Sequence, residues 1–148
     1  ATLDGIVQVS REKVSLLQIL EQIRRYMLQT LLPSARRVTI HVGGEDVIVS
    51  ADCASSVALV VNELVQNALK YAFPSGQAGR IGIELHSGRP LCQLTVWDNG
   101  VGFQADRPRP GGAGLELAST IVREKLTGEW SLESGPGGTR ISFDFLEQ

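Results

Sequence analysis

Apolar residues recur at intervals of three and four between Val14 and Leu32. Leu16, Leu17, Leu20, Ile23, Met27 and Leu31 form one stripe, with Glu21, Arg24 and Arg25 on the other side. That period predicts an amphipathic helix, with Ser15 as its N-cap and Pro33 ending the run. Val38–Val42 then alternates as V-T-I-H-V, the pattern of a strand, and Gly43-Gly44 reads as its turn. Val47–Val49 is a second short strand. Asp52 is the expected cap of a second helix running to about Phe73, before Pro74-Ser75-Gly76. Ile81–His86 and Cys92–Trp97 are strands joined by the turn Ser87-Gly88-Arg89-Pro90. Asp98 to Ala113 is a loop rich in Gly and Pro, and Gly114–Leu126 is a third helix ended by Gly128. Glu129–Glu133 and Thr139–Phe145 make a last hairpin across Ser134-Gly135-Pro136-Gly137-Gly138.

The stretch Ala1–Lys13, with Ile6, Val7 and Val9 apolar, is an incoming linker or a first strand, and residues 14–148 form a single domain. Three helices among mostly hairpin-linked strands predict an α+β two-layer sandwich. Strand and helix do not alternate as βαβ units, and no G-x-x-x-x-G-K-[ST] is present. Both observations argue against a dinucleotide-binding or P-loop design.

Composition narrows the function classes. The chain has 148 residues, enough to bury a core without disulfide staples. Its 14 Lys and Arg against 16 Asp and Glu leave a net charge of −2, which supports neither a nucleic-acid surface nor direct contact with an anionic membrane. Cys53 and Cys92 fit no disulfide framework and no C-x-x-C metal spacing, and His41 and His86 are the only histidines. No apolar run is long enough to span a bilayer, and the start lacks the pattern of a signal peptide. A start at Ala1 rather than Met reads as a fragment of a longer protein. The expectation is a domain of a reducing compartment, the cytoplasm, with its parent free to be membrane-tethered.

Four local features carry chemistry. The second helix has an apolar stripe of Val57, Val61, Leu64, Ala68 and Ala72. Glu63, Asn67, Lys70 and Tyr71, at i, i+4, i+7 and i+8, share a different face. Oxygen donors there suit a hard cation such as Mg²⁺ bridging substrate phosphates, and an amine suits phosphate as a point charge. An ordinary solvated helix face carries the same residue types. Asp98-Asn99-Gly100-Val101-Gly102 follows a strand. Its carboxylate could accept a bond from an exocyclic amine while the glycines let backbone approach a flat ligand, or it is a simple turn. Gly111-Gly112-Ala113-Gly114 opens a helix whose free N–H groups could face phosphate, or is a hinge. Gly137-Gly138-Thr139 enters the last strand and is equally a hairpin turn.

The order of these features resembles the Bergerat-type ATP-binding domain of the GHKL superfamily, which includes histidine kinases, type II topoisomerases, mismatch-repair ATPases and a chaperone family. The run Asn62-Glu63-Leu64-Val65-Gln66-Asn67-Ala68-Leu69-Lys70-Tyr71-Ala72-Phe73 is most similar to the N box of sensor histidine kinases with short lids, N-E-L-x-x-N-A-x-K-[HY]-A-F. The likeness runs from about Val14 onward. It implies a mixed, mostly antiparallel sheet of about five strands covered on one face by three helices. It also implies ATP and Mg²⁺ as cofactors, with Asn67 as the Mg²⁺ ligand and Glu63 as a general base or a carboxylate holding a metal-bound water. By the same likeness Lys70 contacts phosphate and Tyr71 lines the nucleotide. Asp98 reads the adenine amine, Gly100 and Gly102 make room for the base, and Thr139 supports the adenine end through its hydroxyl. Gly112 and Gly114 form the lid hinge and the phosphate-facing helix start, and Leu115 is a further nucleotide-binding residue.

Two departures matter. The segment between Phe103 and Gly111 is short and lacks the phenylalanine-containing lid of longer relatives. Arg107 and Arg109 either compensate by charge or are surface residues. Neither histidine lies in a predicted helix beside an acidic residue, so the acceptor is expected on a dimerisation domain preceding Ala1. The implied activity is transfer of the ATP γ-phosphoryl to that histidine, with a response regulator as an indirect partner and the isolated domain monomeric. The alternatives are a serine kinase of the anti-sigma-factor type, an ATP-hydrolysing clamp, and a domain that only senses nucleotide.

Overall fold

The computed structural model describes residues 12–30, 37–74, 77–88, 90–102 and 112–146. Their elements in chain order are β1 (Lys13–Ser15), α1 (Leu16–Thr30), β2 (Val38–Gly44), β3 (Ile48–Ser50) and α2 (Ala51–Tyr71). These are followed by β4 (Gly79–His86), β5 (Leu91–Asp98), α3 (Gly112–Glu124), β6 (Trp130–Gly135) and β7 (Gly138–Leu146). β1 and β3 make a two-stranded ribbon, and the others form a five-stranded sheet in the order β2-β4-β5-β7-β6. β2 runs parallel to β4, and every other pair in that sheet is antiparallel. A parallel pair needs a crossover, and the segment carrying β3 and α2 supplies it.

Strand alternation places the core on one face. Ile83, Val96 and Ile141 stand in register on β4, β5 and β7, and all three are buried. Val57, Val61, Leu64 and Val65 of α2 join the same core, as do Leu115, Ala118 and Val122 of α3 and Leu16, Leu20 and Met27 of α1. The opposite face is only partly covered and carries His41, Glu84, His86 and Trp97. The architecture is the expected α+β sandwich, with three helices and a five-stranded mixed sheet.

Several boundaries differ from expectation for local reasons. Val14 and Ser15 belong to β1, paired with Val49 and Ile48, rather than to the first helix. Ser15 still accepts the Gln18 N–H at 3.2 Å, and Asp46 joins it from the β2–β3 loop by accepting the Ser15 hydroxyl (2.6 Å) and the Leu17 N–H (3.0 Å). Ser50, not Asp52, caps α2: its hydroxyl accepts the Cys53 N–H at 3.1 Å, while Asp52 sits in the first turn facing the helix dipole. Gly43 and Gly44 continue β2 instead of turning it. The third helix begins at Gly112 and ends at Glu124. Its left-handed residue is Thr127 (φ 49°), and the Gly128 N–H closes the end onto the Val122 carbonyl. β6 and β7 run to Gly135 and Gly138, so the last turn is only Pro136-Gly137. The readings of Ile6, Val7, Val9, Leu31, Pro33, Arg107 and Arg109 lie outside the described residues.

Asp46 gives a direct test of the α1 cap. Burial pushes its carboxyl up, but bonds from the Ser15 hydroxyl and from the Leu17 and Val47 N–H groups outweigh this and hold it below the ordinary range. Its contribution is therefore present above the unfolded carboxyl's pKa and lost as pH falls through the lowered folded value. Asp46→Ala is expected to cost about 0.5–1 kcal/mol, the low end for a helix cap because solvent reaches the group. Urea unfolding checks this at about pH 7 and about pH 3, where the gap between variant and wild type should narrow in acid.

Candidate functional site

β5 ends at Asp98, where the chain must leave the sheet, and backbone contacts dictate its path. The Gly100 N–H donates to Asp98 Oδ1 at 2.9 Å, folding the chain back over its own carboxylate. Asn99 keeps one more rung with the start of β4: its N–H donates to the Arg80 carbonyl (3.2 Å), and its Oδ1 accepts the Arg80 N–H (2.7 Å). The Val101 N–H then donates to the Ala72 carbonyl at the end of α2, at 2.9 Å. Glycine is required twice in this path. A Cβ on Gly100 would stand 2.3 Å from the Ala72 carbonyl oxygen, and one on Gly102 (φ +68°) would stand 1.9 Å from the Gly135 carbonyl oxygen.

Between this loop, the last turns of α2 and the start of β7 lies a slot with about 530 Å³ of empty space, counted to its open mouth. Leu64, Ala68, Ala72, Val96 and Ile141 give it apolar walls, while Asn67, Tyr71, Asp98 and Thr139 bring the polar groups. Apolar walls with few convergent polar groups suit an apolar ring carrying hydrogen-bonding edges. Asp98 is the half-buried acid of the slot. Burial raises its pKa, opposed by bonds from the Gly100 and Thr139 N–H groups. Those two amides leave lone pairs of the carboxylate for a donor on a ligand.

The structure thus brings Asn67, Tyr71, Asp98, Gly102 and Thr139 to one cavity. Gly100 lies beneath it, packed on Ala72. Lys70 is exposed at the end of α2 and does not line the slot. Glu63 lies one turn before Asn67 and faces α3, where a Cβ on Gly114 would come within 3.0 Å of its Oε2. Gly112 opens α3, and the Leu115 side chain is committed to the core, so only its backbone is available to a ligand. No group of three or more His, Cys, Asp or Glu among the described residues could hold a metal. Sequence reasoning assigned Leu64, Ala68 and Ala72 to the core alone, yet they also wall the slot. It missed Ser134, whose hydroxyl lies 2.7 Å from that of Thr139. The short Pro136-Gly137 turn was the available signal, because a two-residue turn puts residues 134 and 139 opposite each other.

Residues 27–145 match the family model described as a histidine kinase-like ATPase domain. The chain belongs to this family. Its family description implies ATP as the nucleotide. The domain is 27% identical over 128 residues to the sensor histidine kinase PdtaS of Mycobacterium tuberculosis, covering 84% of this chain and 25% of that protein. It is 46% identical over 116 residues to the swarming motility regulation sensor protein RssA of Serratia marcescens, covering 68% of this chain and 24% of that protein. The chain therefore spans about a quarter of the length of the curated relatives it matches. In fold it is similar to the blue-light-activated histidine kinase of Erythrobacter litoralis, with a TM-score of 0.80 at 24% identity over 90% of this chain and 42% of that one. It is also similar to the catalytic domain of histidine kinase ThkA, with a TM-score of 0.73 at 19% identity over 92% of this chain and 96% of that one. No described helix is long and apolar enough to cross a membrane.

Because the folded state raises the Asp98 pKa, it binds that proton more tightly than the unfolded chain does. The favourable contribution is present below the unfolded pKa and lost as pH rises through the folded value, so at neutral pH the charge opposes folding. Asp98→Asn is therefore expected to raise the Tm of the nucleotide-free domain at about pH 7, with wild type catching up as pH falls through the raised pKa. Calorimetry across that range checks it, and a lower Tm for the variant at neutral pH would contradict the burial argument.

Proposed function

We propose that this domain is the catalytic part of a sensor histidine kinase, which binds Mg-ATP and passes its γ-phosphoryl to a histidine on a separate dimerisation domain of the parent protein. Within the family we assign it to the short-lid subgroup, in the cytoplasm where ATP is supplied. The observation that carries the reading is the slot itself: an apolar cleft ending on the half-buried carboxylate of Asp98, with the amide of Asn67 on its helical wall. Adenine fills such a cleft, its exocyclic amine donating to Asp98 in a charge-assisted bond. The Asn67 side chain has no hydrogen-bond partner among the described residues, so its amide oxygen is available to a hard cation. With no carboxylate cage among the described residues, Mg²⁺ would take its remaining oxygens from phosphates and water. The ion would supply charge neutralisation of the triphosphate.

The chain's own residues position and polarise. Asn67 holds the phosphate end toward the start of α3, and Lys70 reaches it from the end of α2 as a mobile charge. Glu63, between α2 and Gly114, stands where the phosphates leave the slot and polarises the incoming imidazole. An imidazole nitrogen attacks the γ-phosphorus, the bond to the β-bridging oxygen breaks, ADP leaves, and the imidazole N–H proton passes to Glu63 or water. Catalysis is then positioning and charge stabilisation. His41 and His86 lie on the sheet face opposite the helices, away from the slot, which supports an acceptor elsewhere. One comparison structure is ThkA in complex with its response regulator TrrA, and by analogy a response regulator is the indirect partner here.

Titration with fluorescent ATP tests the site. Asp98→Asn should weaken binding about ten- to a hundred-fold, the loss of one charge-assisted bond. Asn67→Ala should abolish the gain in affinity that Mg²⁺ confers while leaving metal-free affinity nearly intact. Equal loss with and without Mg²⁺ would make Asn67 structural.

The reaction is tested by supplying the parent's histidine-bearing domain in trans. Transfer should exceed background hydrolysis, and Glu63→Ala should slow it about a hundred-fold or more with affinity within a few fold of wild type. Rapid hydrolysis without transfer would favour the clamp instead, and phosphate appearing on a serine would favour the anti-sigma-factor type of kinase.

A further inference from the structure

Thr139 is held from two sides. Its backbone N–H donates to Asp98, and its hydroxyl lies 2.7 Å from that of Ser134, the residue opposite it across the β6–β7 hairpin. Thr139 lines the slot, whereas Ser134 lines only the open trough outside it. A hydroxyl carries one proton. If Thr139 donates to Ser134, it shows the slot only lone pairs, next to the lone pairs of Asp98. If Ser134 donates to Thr139, the Thr139 proton is free to point into the slot. The field of the ionised carboxylate beside it favours the second arrangement, since a proton directed toward the slot relieves two facing sets of lone pairs.

We propose that Ser134 is a positioning residue that donates to Thr139, makes Thr139 a donor in the slot, and so selects adenine over 6-oxopurines. This rests on the reading of the slot as a nucleotide site. An adenine edge offers an amine donor beside a ring-nitrogen acceptor. Asp98 as acceptor and Thr139 as donor, directly or through one relaying water, complement that pair. Hypoxanthine reverses both groups: its oxygen faces the Asp98 carboxylate, and its ring N–H faces the Thr139 proton. Discrimination by mispaired polar groups is stronger than by shape alone.

Equilibrium titrations of this chain with ADP and inosine diphosphate decide the matter. Ser134→Ala should lower ADP affinity about three- to tenfold, the effect of one neutral hydrogen bond. Affinity for inosine diphosphate should hold or rise, so the ratio between the two ligands collapses. Ser134→Thr should keep the wild-type ratio, and Ser134→Ala should add nothing in a Thr139→Val background. An unchanged ratio, or equal losses for both ligands, would overturn the role of Ser134 and leave the nucleotide site standing. Failure of the wild-type chain to bind ADP at all would instead bring down the nucleotide reading, and this inference with it.

Discussion

The bond from the Val101 N–H to the Ala72 carbonyl ties the end of the longest helix to the loop that leaves the central strand. Everything at the slot depends on that backbone contact. It requires a residue without a side chain at Gly100, because any Cβ there would collide with Ala72. It sets the wall bearing Asn67 and Tyr71 against the carboxylate of Asp98. The far side of the loop is fixed in the same way, by Gly102 packed on the Gly135 carbonyl at the tip of the last hairpin. The loop is thus gripped between a helix end and a hairpin, both anchored in the core.

That grip explains how a half-buried acid is tolerated. Asp98 pays for desolvation with bonds from the Gly100 and Thr139 amides, one from its own loop and one from β7. The offset is incomplete, so the carboxyl remains raised. A site whose charge opposes folding but awaits a donor is the usual conflict between stability and binding. The sandwich absorbs it with a core shared by all three helices and the inner sheet face.

The two sheet faces divide the labour. The helical face carries the core and, at one end, the slot. The open face carries both histidines, which excludes neither from solvent but separates them from the slot. Among the described residues, one end of the helical layer brings Asn67, Tyr71, Asp98 and Thr139 together. That end lies where α2 finishes, β5 finishes and α3 begins, so each polar group comes from the terminus of a rigid element.

Periodicity made the three helices and most strands legible, because burial on one face imposes spacing that survives in the residues themselves. The glycines at 100 and 102 and the acid at 98 stood out only through the order of four short motifs, since each motif alone also reads as a plain turn, hinge or helix face. Tertiary structure decided what local pattern cannot express. Asp46 reaches the α1 cap from a loop about thirty residues away, and the pairing of β1 with β3 drew Val14 and Ser15 out of the helix. Leu115 reads as a neighbour of the phosphate-facing glycines but turns inward, since the stripe it shares with Ala118 and Val122 faces the core. Ser134 meets Thr139 only because hairpin register places the two opposite each other. The sequence by itself determined which segments bury a face and which turns need glycine, for those are local demands of backbone and solvent. Which polar groups meet was decided by packing, because such a meeting is a distance between elements that no single segment encodes.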